Sequence, residues 1–278
     1  GRYCGVDGNI RELASGERHS GFLLWGTFRG LHPLLFRLTP ELSGDFLRSM
    51  LYIYMEKGTL PRCEVKGCEL DWREGYHSAP IIAEALANGQ TNFDVKAALS
   101  ALIKSSMRGS ESLRSFREHG VVLADDADQS VSATLEYAYD DWCILQLGRS
   151  LGKSEEELAP YAKAAMNYRN LYRSEHSLMS GRKADGSFSD DFNKYKWGGD
   201  FTEGNALHYT WSVFHDPQGL VDLMGGKENF SRMMDSIMIL PPFFDDSYYR
   251  YVIHEIREMQ IMNMGNYAHG NQPVQHML

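Results

Sequence analysis

The sequence predicts an all-α protein, with helices in tandem arranged as a helical toroid or array. Three observations carry this expectation. Val131, Leu135, Ala138, Trp142 and Leu145 recur at alternating steps of four and three, which makes one apolar helix stripe. Thr91 with Asp94, and Ser154 with Glu157, have capping-box spacing ahead of helical patterns. Period-two alternation is scarce, and clusters of Gly, Pro or Asp separate the helical segments.

In chain order, the first forty residues are Gly-rich and aperiodic and read as loops around short segments. Residues 80–88 predict a helix, with Pro80 in its first turn and Gly89 at its end. Thr91 then opens a helix carrying Val95, Ala98, Leu99, Leu102 and Ile103. Residues 130–152 form the clearest helix, and the one opened by Ser154 runs to about Tyr172. Residues 205–214, 227–236 and 247–262 predict three more. No repeat of roughly 30–45 residues is visible, which disfavours solenoids. No linker divides the chain.

A chain of 278 residues is long enough for one large domain with a sizeable core. With 43% hydrophobic and 23% charged residues, it has a globular composition. No apolar run approaches the roughly 20 residues of a membrane helix; the stretch 237–244 is interrupted by Pro241 and Pro242. The net charge of −9 and the lack of a basic stripe argue against a nucleic-acid partner. The first residues show neither an initiator Met nor a secretory signal, so they do not report a compartment. Cys63 and Cys68 are spaced for a small disulfide loop or are plain thiols, and the cysteine pattern gives no zinc site.

Three polar clusters could carry chemistry. Asp200-Phe-Thr-Glu203-Gly-Asn205 precedes His208, Trp211 and His215, which share a face if the helix is continuous. Glu203 there reads as a general acid or as a carboxylate favoured by a helix N-terminus. His254 and Glu258 lie one helical turn apart with Glu255 beside them, a face suited to sugar hydroxyls or a hard cation, or simply to solvent. Tyr267-Ala-His269-Gly-Asn271-Gln272-Pro273 reads as a binding loop or as a helix start capped by Asn271. Asp125-Asp126-Ala127-Asp128 is an acidic turn; Ala127 and Ser130 fall where a calcium loop needs a ligand and a Gly.

These clusters, in this order, resemble glycoside hydrolase family 92, the calcium-dependent exo-α-mannosidases. The matching stretches include 21–33, 130–143, 202–205, His215-Asp216, 223–226 and 267–273. The resemblance implies an (α/α)6 barrel, with residues 1–278 as a partial catalytic domain. A β-sandwich would precede it and the end of the barrel would follow. It implies cleavage of terminal α-mannose, α-1,2-linked, with inversion. Glu203 then matches the general acid, and His254 and Glu255 match the pair that contacts the leaving sugar. Trp25, His269, Asn271 and Gln272 would bind substrate. Glu258 and Asn271 would hold Ca2+.

The implied partners are mannose-containing glycans, as in N-glycan degradation, in a secreted, periplasmic or cell-surface setting. Gly26 stands where the family has Asp, and Leu207 where it often has Trp. The family's general base, in an Asp-x-Asp motif, would lie beyond Leu278. Two rival readings are a carbohydrate-binding pseudo-enzyme and another helical-toroid enzyme, such as a phosphorylase or a lyase.

Overall fold

The computed structural model describes every residue except 71–74, 109 and 191. Its described residues are mostly helical, as expected. Strands are confined to three two-stranded antiparallel ribbons: β1 (Arg2–Cys4) with β2 (Ile10–Glu12), β3 (Glu64–Val65) with β4 (Cys68–Glu69), and β5 (Tyr172–Arg173) with β6 (Leu178–Met179). The chain forms two compact units, each discontinuous in sequence.

The first unit comprises residues 1–113 and 140–165. Helices α1 (Leu24–Thr27) and α2 (Leu31–Leu38) lead into α3 (Pro40–Lys57), α4 (Ser78–Ala87) and α5 (Val95–Ser105). Pro40 stands in the first turn of α3, and Gly58 ends it in the left-handed conformation with its N–H on the Tyr54 carbonyl. The core gathers Leu47, Met50 and Ile53 of α3, Ile81 and Ile82 of α4, and Leu99 and Leu102 of α5. One cap differs from expectation: Asp94 itself caps α5, accepting from the Ala97 N–H at 2.9 Å, so Thr91 is not the cap. Cys63 and Cys68 are both thiols, one buried and one exposed.

The second unit comprises residues 114–139 and 166–278. Helix α6 (Glu111–His119) leads towards α7 (Ser130–Ser150), whose C-terminal part belongs to the first unit, as does α8 (Glu155–Ala165) after it. The Ser154–Glu157 box at the start of α8 forms as expected, with each backbone N–H on the other's side chain at 3.0–3.2 Å. The helix ends at Ala165, short of Tyr172, and residues 167–171 continue as a 3-10 turn. Helices α9 (Ala206–Tyr209), α10 (Pro217–Leu223), α11 (Lys227–Ile239) and α12 (His254–Met262) complete the described set.

The stripe on α7 understates the helix. Residues 130–138 are buried on every face, polar ones included. Ser130 donates to Asp200, Ser132 accepts the Thr202 N–H, and Thr134 accepts the Val122 N–H. Farther along, Asp140 accepts the Tyr76 N–H at 2.6 Å and faces His77 Nδ1 at 3.0 Å. The helix is therefore a buried post whose polar side chains hold loops, and buried polar groups persist only when bonded in this way.

Candidate active site

The segment before α9 is built to fix one residue. Glu203 has φ +48°, the left-handed region that costs a non-glycine residue roughly 1–2 kcal/mol. Such a conformation survives where the surroundings over-determine it. Here the Glu203 N–H donates to the Tyr249 hydroxyl at 3.2 Å, and the Glu203 carbonyl accepts from Asn271 Nδ2 at 2.6 Å. On its N-terminal side, Thr202 donates its N–H to Ser132 Oγ and its hydroxyl to Gln129, while its carbonyl accepts the Tyr209 hydroxyl. Glu203 is half-buried.

On its C-terminal side, Asn205 caps α9 and shares a capping box with His208. His208 Nδ1 accepts the Asn205 N–H at 3.2 Å, so Nε2 carries the proton and donates to the Asn266 carbonyl at 2.8 Å. Full burial pushes the imidazole pKa down to about 4, against the hydrogen bond to Asn266, which raises it. The folded protein therefore binds this proton less readily than the unfolded chain. The resulting stabilisation is complete above pH 6.5 and is lost as pH falls towards 4, up to about 3 kcal/mol. The thermal midpoint should drop across that window, and the drop should shrink in His208→Gln.

The expected helix 205–214 stops at Tyr209. The Trp211 indole N–H takes the Leu207 carbonyl at 2.8 Å, and the chain turns over Ser212 and Val213. Hence His208, Trp211 and His215 do not share a helical face. Trp211 packs edge-on to Phe230, and His215 lies against Tyr168.

Helix α12 also begins later than expected, at His254, because Arg250 adopts φ +62° and residues 247–253 run as loop. The face predicted on α12 is present. The His254 ring sits between two carboxylates, with Nε2 3.1 Å from Glu255 Oε1 and Nδ1 3.1 Å from Glu258 Oε1. Glu255 is buried while His254 is exposed. The other Glu258 oxygen lies against Gly270, where any added Cβ would collide with it; only glycine allows this approach.

The next residue, Asn271, is 3% exposed and uses both ends of its amide. Oδ1 accepts the Gln272 N–H at 3.0 Å and starts the 3-10 turn Gln272–Met277, and Nδ2 holds Glu203. A chain of contacts thus links Glu203, Asn271, Gly270, Glu258, His254 and Glu255. His269 is exposed, with Nδ1 3.0 Å from the Tyr267 hydroxyl, and Gln272 is half-buried. Trp25 belongs to the first unit, in α1 with Gly26, where the Arg29 guanidinium lies over its ring at 5.1 Å.

Tyr249 was not foreseen. Its signal, Ser247-Tyr-Tyr-Arg250, lies within the span read as helix.

Glu258 and Asn271 offer hard oxygens, the donor chemistry of calcium. These two side chains fall short of the six to eight oxygens calcium takes, and the described residues hold no group of three His, Cys, Asp or Glu side chains suited to a metal. Two other carboxylates are occupied. Asp200 accepts hydroxyls from Ser130 and Ser189, and Asp216 caps α10 while accepting from Tyr168 and Arg169.

The second unit thus fixes a half-buried glutamate beside a polar loop on a tandem-helix scaffold. The sequence model of the glycosyl hydrolase family 92 catalytic domain matches residues 1–278. The chain belongs to that family.

A family 92 α-mannosidase from Bacteroides thetaiotaomicron is 33% identical and superposes with a TM-score of 0.86, over 100% of this chain and 35% of that one. An inverting family 92 mannosidase of the same organism is 38% identical with a TM-score of 0.86, over 99% of this chain and 38% of that one. These structures have the (α/α)6 helical-toroid domain that the sequence led us to expect. An uncharacterized secreted glycosidase of Arthroderma benhamiae is 26% identical over 231 residues, 69% of this chain and 30% of that protein. The chain thus spans about a third of the length of these relatives.

Proposed function

We propose that these residues form the acid-bearing part of an exo-acting α-mannosidase that releases terminal, α-1,2-linked mannose with inversion. The observation that carries the reading is the strained, doubly held backbone of Glu203 beside the α12 face and the 269–272 loop. An inverting glycosidase needs one carboxyl to protonate the leaving oxygen and another to activate water, roughly 6.5–9.5 Å away.

Glu203 takes the first role. His254 and Glu255 bind the leaving sugar, with Glu255 buried behind the imidazole so that the ring presents a fixed edge. His269, Asn271 and Gln272 contact the terminal mannose. By the resemblance to the family, the base would lie in sequence beyond Leu278; within the chain, Asp200 and Asp216 already accept other hydrogen bonds. Glu258 and Asn271 would contribute to holding calcium, which supplies a Lewis acid for adjacent sugar hydroxyls when bound.

The substrate is proposed to be a mannose-containing glycan outside the cytoplasm, in keeping with the secreted relative. Among the described residues no helix is long and apolar enough to cross a membrane.

The test is proton NMR of the full-length protein acting on α-1,2-mannobiose. β-Mannose should appear first and then mutarotate. α-Mannose first, or mannose 1-phosphate formed only with phosphate present, would reject the inverting-hydrolase reading. Binding without turnover would support the pseudo-enzyme instead.

A further inference from the structure

A cavity of about 270 Å³ lies in the second unit, on the N-terminal side of Glu203. Its size is near the lower end of ligand pockets, roughly 300–1,000 Å³. It is lined by the turn before α7, with Asp125 and Asp128, by the segment bearing Asp190, Phe192 and Lys196, and by Gly198–Phe201. Phe201 and Glu203 are two residues apart, so their Cα atoms are at most about 7 Å apart. The cavity is also tied to Glu203 by a second route. The Tyr248 hydroxyl donates to Asp128 at 2.9 Å, its ring packs edge-on to Tyr249 at 5.0 Å, and Tyr249 receives the Glu203 N–H.

The lining has the mixture that suits a polyhydroxylated ligand. The Phe192 ring is fixed by stacking on His176 at 4.4 Å, with the Arg173 guanidinium also over it at 5.6 Å, which leaves its rim as the apolar contact. Lys196 lines the cavity and makes no side-chain hydrogen bond among the described residues; its charge also acts on Asp245 outside the lining. Asp128 gives one oxygen to Tyr248 and Asp125 one to the Ala184 N–H, so each keeps an acceptor. The carboxylates Asp125, Asp128, Asp190 and Asp200 outnumber Lys183 and Lys196, and Lys183 is already paired with Asp190 at 2.5 Å. That balance excludes phosphorylated or otherwise anionic sugars and favours neutral ones.

We infer that this cavity is a distal glycan subsite, which binds a neutral sugar unit of the leaving group beyond the one gripped by His254 and Glu255. The inference rests on the mannosidase reading. Lys196 donates to a sugar hydroxyl, Asp125 and Asp128 accept from others, and the rim of Phe192 gives the sugar C–H groups an apolar contact. Three-sugar and longer substrates gain from the cavity, and disaccharides do not reach it.

The experiment compares kcat/KM of the full-length protein on a linear mannotriose and a mannobiose of the same linkage, for wild type, Lys196→Ala and Phe192→Ala. Each variant should lose about tenfold more on the triose than on the biose, the size of one charge-assisted hydrogen bond or one aromatic contact. Equal losses on both substrates, or no loss on either, would overturn the subsite and leave the mannosidase reading intact. If the wild type turns over neither substrate, the mannosidase reading fails. Calorimetric titration with mannotriose then decides the subsite: binding lost in Lys196→Ala supports it, and binding that is absent or independent of Lys196 overturns it.

Discussion

Replacing Glu203 by Gln in the full-length protein should cut turnover on mannosides with poor leaving groups by about 10²–10⁴-fold. Gln keeps the shape of the side chain and leaves the Tyr249 and Asn271 bonds to the backbone untouched, so the strained turn survives. What disappears is the proton for the departing oxygen. Aryl mannosides with acidic leaving groups need little of that proton and should lose far less. Removing calcium with a chelator should behave differently, lowering both substrate types together, because the ion would grip the sugar that stays. A uniform loss in Glu203→Gln on both substrate types would mark Glu203 as a binding or structural residue instead.

Asn271→Ala should be the next most damaging change, a fall in kcat on the order of 10²-fold with a smaller change in KM. The argument is geometric. The Asn271 amide holds the Glu203 carbonyl at 2.6 Å, so it sets where the carboxyl points without meeting the reacting bond through that contact. Misplacing a reacting group by about 1 Å can cost 10²-fold. Losing the cap on the 3-10 turn should cost about 1 kcal/mol of stability, which a thermal midpoint separates from the kinetic effect. Asn271→Asp distinguishes the two jobs. Its carboxylate still accepts the Gln272 N–H but cannot donate to Glu203. Wild-type turnover in Asn271→Asp would show that the bond to the Glu203 carbonyl is dispensable.

These two residues also show what a sequence can disclose. Ordered motifs brought Glu203, His254, Glu255, Glu258 and Asn271 forward, and the α12 face followed from a spacing of four. Local periodicity placed α7, because a buried post still shows a stripe. It overran at residues 205–214, where the Trp211 indole competes for a helix carbonyl. It also overran at 247–253, where Arg250 turns left-handed. Both are side-chain or backbone choices settled by tertiary contacts. The strain at Glu203 is equally silent in the sequence, since its causes lie 46 and 68 residues away, at Tyr249 and Asn271. Helix α3 drew no notice even though Pro40 and Gly58 bracket it.

The interleaving of the two units has a consequence for how the chain is made. Neither unit is an unbroken stretch: the first waits for residues 140–165, and the second waits for 166–278 after its opening segment has emerged. The core of the second unit includes Val131 and Leu135 near its start and Val274 and Met277 near its end. On a ribosome adding roughly 5–20 residues per second, Ser130–Leu135 would spend several seconds without its downstream partners. Closing contacts of such long separation is intrinsically slow. A nascent α7, apolar on one face and with Ser130 and Ser132 still waiting for Asp200 and Thr202 on the other, is therefore a segment that chaperones would shield during synthesis.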